Sequence, residues 1–125
     1  VGAIRSALTD AGVAAHDIDA VIGFANGHET VDAIETAALS EVFDLTRIPV
    51  ITVKERTGEG RAASAALALA HGALLLHGDL GTETDAYMQD KAGMKKTTVK
   101  ADALRRILVV SYAAGGSYTA VILEK

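Results

Sequence analysis

The sequence predicts a mixed α/β fold, and three observations carry that reading. Two short apolar runs, "AVIGFA" at 20–25 and "IPVITV" at 48–53, are too brief for helices and suit buried strands. Segments with helical periodicity alternate with them. The chain then closes on two more apolar runs, "RILVVSY" and "YTAVILE", separated by "AAGGS".

Taken in order, residues 2–12 read as a helix: Ile4, Ala7, Leu8 and Ala11 share a face, and Gly12 supplies the stop. The strand at 20–25 follows, then a turn-rich loop, "NGHET". A helix is expected from Val31 to about Phe43, with Thr30 as N-cap and Ile34, Ala37, Ala38, Leu39 and Val42 as its apolar stripe. Pro49, the only proline, introduces the second strand. A charged loop, "KERTGEG", leads into a helix from about Gly60 to His77 with alanine around most of its circumference. A helix apolar on every side is expected to be covered on every side. Residues 78–102, with "GTETD" and "KAGMKKTTVK", read as solvated loop. In the closing pair of strands, Gly115 and Gly116 permit a tight reversal. The order is αβ-αβ-α-loop-ββ, in one domain over residues 1–125.

Composition narrows the function classes. With 125 residues, half of them hydrophobic but only 4% aromatic, the apolar mass is aliphatic. That favours closely packed helices and sheets over an aromatic-rich groove. The formal charge of −4 leaves no basic patch, so no nucleic-acid partner is expected. No cysteine is present, which removes disulfides, thiolate metal sites and a cysteine nucleophile from this chain. No His/Asp/Glu cluster has metal-ligand spacing, and no phosphate-binding glycine loop follows a strand, so neither metal nor cofactor is expected. The longest apolar stretch, 62–76, is broken by Ser64, His71 and Gly72 and is too short for a membrane span. The sequence opens on Val1, as expected at a processing boundary, and no signal-peptide pattern is visible; a cytoplasmic setting is expected.

Four segments, in this order, resemble one family. "AGVAAHDIDAVIGFANG" is similar to a helix and strand leading to a His-Gly-Thr loop. "VDAIETAALSEVF" resembles the Asp-x-x-Glu helix that follows. "PVITVKERTGEGRAASAALALAHGALLL" resembles a strand, a Lys-x-x-x-Gly-His loop and a buried Ala/Gly helix. "ILVVSYAAGGSYTAVIL" resembles the closing Asn-Ser-Phe-Gly-Phe-Gly-Gly hairpin. The family is the β-ketoacyl synthases. The resemblance implies a thiolase-like layered α/β/α/β/α fold, of which this chain is the C-terminal half only.

The resemblance also implies where chemistry would sit. In active ketosynthases two histidines stabilise negative charge as malonyl carrier protein loses carbon dioxide and attacks an acyl-cysteine thioester. Asn26 stands at the first histidine position, with His28 two residues on as a possible substitute. Lys54 and Gly58 match the second loop, but Glu59 replaces its histidine. A carboxylate repels a developing oxyanion, so Glu59 is expected to form an ion pair with Lys54 or Arg61 or to sit at the helix N-terminus. In the closing motif Ser111 and Tyr112 match, Gly115 and Gly116 retain the glycine pair, and Ala114 replaces the second aromatic, leaving an acyl gate there in doubt. With both histidines replaced, the chain resembles a chain length factor or other degenerate ketosynthase subunit. Such a subunit would pair with an active ketosynthase and an acyl carrier protein, complete its fold with an N-terminal half, and shape an acyl tunnel in polyketide, polyene or fatty-acid biosynthesis. The alternative is a divergent β-ketoacyl synthase or acyltransferase whose nucleophile lies in that N-terminal half.

Overall fold

A computed structural model describes residues 1–25, 27–113 and 115–125. Helix α1, Gly2–Ala11, buries Ile4 and Leu8 and ends as its sequence implies: Gly12 takes the left-handed conformation (φ 66°), and its N–H reaches back to the Leu8 and Thr9 carbonyls. Strand β1, Ala20–Gly23, is buried along its whole length. Helix α2 runs Glu29–Ser40, so it starts two residues earlier than expected, with His28 rather than Thr30 at the N-cap position. The acidic residues Glu29 and Asp32 fall in its first turn, where the positive helix end favours them.

Strand β2, Val50–Thr52, is followed at once by a single helical turn, α3, Lys54–Thr57, where the sequence reads as loop. A 3₁₀ turn at Arg61–Ala63 then starts the alanine-rich helix, whose regular part, α4, is Ser64–His77. Gly78 closes it at φ 93° by the same left-handed device as Gly12.

The segment read as solvated loop is a correction. It forms a β-hairpin, β3 (Glu83–Asp90) and β4 (Gly93–Lys100), turning on Lys91 and Ala92. Its period-2 signal is carried by small and polar residues: Thr84 and Ala86 face the core while Glu83 and Asp85 face water. Such strands lack the apolar mass that marks a buried strand, and β4 is an edge whose lysines suit an exposed ladder. The last two strands, β5 (Arg106–Ala113) and β6 (Ser117–Glu124), form the expected hairpin, with Gly115 and Gly116 at φ 100° and 86°.

All six strands make one sheet in the order β4-β3-β2-β1-β5-β6. β1 is parallel to both β2 and β5, while the two outer hairpin strands on each side run antiparallel. Helices cover both faces. On one face Ile4 and Leu8 of α1 and Leu39 of α2 pack on Val21, Val50 and Leu108. On the other, Ala68, Leu75 and Leu76 of α4 pack on Ile22, Ile51, Ile107 and Val109. The result is an α/β/α arrangement, consistent with half of a thiolase-like layered fold.

The expectation that α4 is covered on every side is not met within this chain. Ser64, Ala68, Gly72, Leu75 and Leu76 are buried, but Ala66, Leu67, Ala70, Ala73 and Leu74 form an exposed stripe. Close approach to the sheet depends on Gly72: a Cβ there would lie 2.9 Å from Leu123 Cδ1 and 3.1 Å from Ile22 Cδ1. The expected apolar stripe of α2 also divides, with Leu39 buried and Ile34 64% exposed.

Candidate functional site

In the sheet order, the chain leaves β1 toward β2 on one side and returns to β5 on the other. The carboxyl end of β1 is therefore the topological switch point, the place where open α/β sheets hold ligands. Here Gly23, Phe24, Lys54, Thr57, Ser64 and Ser111 line a narrow cleft with about 10 Å³ of free space. Among the described residues, the two non-glycine ones with positive φ flank it in sequence: Ala25 (31°) follows β1 and Arg61 (48°) precedes α4. Strained backbone of this kind concentrates at functional loops.

Lys54 and Glu59 meet in this region. Lys54 Nζ donates to Glu59 Oε2 at 2.7 Å, and its side chain is only 11% exposed. The other carboxylate oxygen, Oε1, accepts from Ser64 Oγ at 2.7 Å and from the Arg61 backbone N–H at 2.8 Å. The Lys54 hydrogen bond, then that of Ser64, holds the Glu59 carboxyl down to about 2, although its side chain remains 42% exposed. Of the two ion pairs the sequence allowed, Lys54 supplies the charge partner; Arg61 contributes its backbone. Glu59 thus ties the turn after β2 to the first turn of α4.

The Lys54 ammonium also lies 3.2 Å from the centroid of the Phe24 ring, a cation–π contact. On the opposite side of the sheet end, Phe24 meets Tyr112 edge-on at 5.5 Å, and Tyr112 meets Tyr118 at 5.2 Å. Strand alternation explains how the closing motif serves both faces. Ser111 shares the parity of Ile107 and Val109, which face α4, whereas Tyr112 shares that of Leu108, which faces α1 and α2.

Glu35 is a residue the sequence singled out only as part of a helix motif. Its carboxylate accepts the backbone N–H groups of Phe24 (2.5 Å) and Ala25 (2.9 Å), so it fixes the chain as it leaves β1. Burial pushes its carboxyl above the ordinary range, partly opposed by those two hydrogen bonds. The Asp-x-x-Glu spacing was a usable signal, since it sets Glu35 in the second turn of α2 beside the strand end.

The other candidate residues are dispersed. His28 is exposed at the start of α2. Asn26 and Ala114 lie outside the described residues. Gly115 and Gly116 form the β5–β6 turn, and among the described residues no histidine lines the cleft. Among the described residues no cluster of three or more metal-ligating side chains occurs, and no helix is long and apolar enough to cross a membrane.

Comparison with known proteins fits this arrangement. A family model described as the beta-ketoacyl synthase C-terminal domain matches residues 1–87. The chain is 44% identical over 68 residues to the tetracenomycin polyketide synthase ketoacyl synthase beta subunit of Streptomyces glaucescens, covering 54% of this chain and 17% of that one. It is 32% identical over 125 residues to a Streptomyces virginiae protein named "Putative polyketide beta-ketoacyl synthase 2", covering 98% of this chain and 31% of the relative. Kotanin synthase of Aspergillus niger is 26% identical over 143 residues, with 97% of this chain and 8% of that protein covered. The chain thus spans less than a third of the length of each relative. No solved structure matches it. Since the family model takes in α1 through most of β3, with the whole Lys54–Glu59 region inside it, the chain belongs to the β-ketoacyl synthase family through its C-terminal domain.

Proposed function

We propose that residues 1–125 are the C-terminal domain of a ketosynthase-like subunit of the chain length factor type, one that keeps the fold and has lost the condensing chemistry. It pairs with an active ketosynthase in polyketide biosynthesis, the class named in the relatives above, and helps shape the tunnel in which the acyl chain grows. An acyl carrier protein delivers the growing chain to that complex. The exposed stripe of α4 packs against the N-terminal half of the same fold.

The single observation that carries this reading is the Lys54–Glu59–Ser64 arrangement. At the position where the family's loop places a histidine, this chain has a carboxylate held to a pKa of about 2. It is anionic at every physiological pH, and both of its oxygens accept hydrogen bonds within the protein. An anion cannot stabilise an oxyanion, and it has no proton to lend. Its work is to hold the loop to the helix. Asn26, at the other histidine position, can donate through its amide but cannot exchange a proton.

The test is reconstitution of the full-length subunit with its ketosynthase, following carbon dioxide release from malonyl carrier protein and product formation. The subunit alone should release carbon dioxide no faster than the uncatalysed rate, and the pair should make product. Glu59→Gln should leave product formation by the assembled pair nearly intact. Turnover by the subunit alone, or loss of product in a folded and assembled Glu59→Gln pair, would instead support a divergent condensing enzyme that uses this region directly.

A further inference from the structure

A second cavity lies on the opposite face of the sheet from α4, in a groove between α1, α2 and the β5–β6 hairpin. It has about 190 Å³ of free space, and its walls include Ile4, Val31, Ile34 and Leu39. Three of the chain's five aromatic residues, Phe24, Tyr112 and Tyr118, converge on it. The contacts among them are T-shaped and tilted, so they form an open corner rather than a closed stack. Three of the large apolar side chains that this protein exposes also gather here: Ile34, Tyr112 and Tyr118. Apolar exposure of that kind at a concave site marks a place where something binds.

The groove and the cleft beside Lys54 share Phe24, Val110 and Ser111 as lining residues. Phe24 lines both spaces, pinned by the Lys54 ammonium on the cleft side and by the Tyr112 ring on the groove side. Size and charge define the occupant. A dry apolar cavity of about 150 Å³ admits benzene, so this one holds one ring or two fused rings. Among the described residues no Lys, Arg or His side chain lines it, whereas the carboxylate of Glu35 does. An anionic ligand is therefore disfavoured, whereas a neutral one meets no such repulsion.

We propose that this groove is a binding site for a neutral, flat, apolar molecule of one or two fused rings, with the Phe24 ring as its inner wall. The inference rests on the groove itself and is independent of whether the subunit pairs with a ketosynthase.

Photolabelling the full-length subunit with a naphthalene that carries a diazirine, followed by peptide mapping, tests it. Labelling should saturate, fall on peptides containing residues 24–40 and 106–124, and be competed by 2-naphthol but neither by 2-naphthoate nor by 1-octanol at equal concentration. Tyr118→Ala should weaken competition by about three- to tenfold, the range expected for one aromatic contact. Ile34→Asp, at an exposed position that folding does not depend on, should weaken it further. Phe24→Ala should admit a three-ring anthracene probe that the parent chain excludes. Labelling that does not saturate, that spreads over the chain or centres on Leu67 and Leu74, or that both variants leave unchanged would overturn the proposal. Equal competition by 1-octanol would overturn its preference for rings.

Discussion

The two helices that flank the sheet, α1 and α4, are solutions to different problems. α1 buries Ile4 and Leu8 and turns Arg5, Ser6, Thr9 and Asp10 to water, so one sheet face and solvent satisfy it completely. α4 buries Ala68, Gly72, Leu75 and Leu76 with the same firmness, yet its outward side is Ala66, Leu67, Ala70, Ala73 and Leu74. Apart from His77 at its last turn, nothing polar has been placed where α1 has a charged face. The difference teaches that α1 is finished by solvent, whereas α4 keeps an apolar side that the neighbour proposed above would cover. It agrees with a chain that spans less than a third of each relative.

The comparison is sharpest at two adjacent leucines. Leu75 is 1% exposed and Leu74 43% exposed. Leu75→Ala should destabilise the chain by about 2–5 kcal/mol, and Leu74→Ala should fall within about 0.5 kcal/mol. Urea unfolding of both variants checks this, and equal losses would mean that α4 packs in a different rotation. Next in size is Gly72→Ala, which must push aside the ends of Leu123 and Ile22. Overpacking costs about 1–3 kcal/mol, against which the better helix propensity of alanine returns about 1 kcal/mol. A net loss of about 1 kcal/mol is expected, and a net gain would show that α4 sits farther from the sheet.

The loop before α4 yields a pH test. The Glu59 carboxyl is depressed from its ordinary 4.5 to about 2 by Lys54 and Ser64. A carboxyl depressed in the folded state stabilises it above the unfolded value, and that contribution is lost as pH falls from about 4.5 toward 2. Because Glu59 is partly exposed, solvent screening limits the effect to about 1 kcal/mol. Glu59→Gln should remove that acid-dependent component from the stability profile, with Lys54 left under-paired at neutral pH. An unchanged acid limb in the variant would show that the ion pair contributes nothing to folding.

The smallest effect on stability, and the most visible on assembly, is expected from Leu67→Lys with Leu74→Lys. Stability of each folded copy should change by less than about 0.5 kcal/mol. The parent 125-residue chain should self-associate when expressed alone, and the double variant should shift toward monomer by light scattering. A parent chain that is a stable monomer, strongly protected from hydrogen exchange over residues 61–76, would make α4 a boundary like α1 and remove the argument for a missing neighbour.

What the sequence by itself determined follows from signals that are local. Hydrophobic period and a terminal glycine placed α1 and its stop at Gly12; short apolar runs flanked by turn residues placed β1, β2, β5 and β6. Glu59 was legible as a partner for Lys54 or Arg61 or as a charge at the helix N-terminus, and only the structure singled out Lys54 as its charge partner. The hairpin β3–β4 was not legible, since polar strands such as "GMKKTTVK" gain their order from pairing with a neighbour rather than from burying apolar mass. Composition argued against an aromatic-rich groove because aromatic residues are few, but a count carries no positions. Only the tertiary structure decided that Phe24, from the end of β1, would stand between Lys54 and the β5–β6 tyrosines. That meeting depends on β1 pairing with β5, a contact between distant parts of the chain that no local pattern encodes.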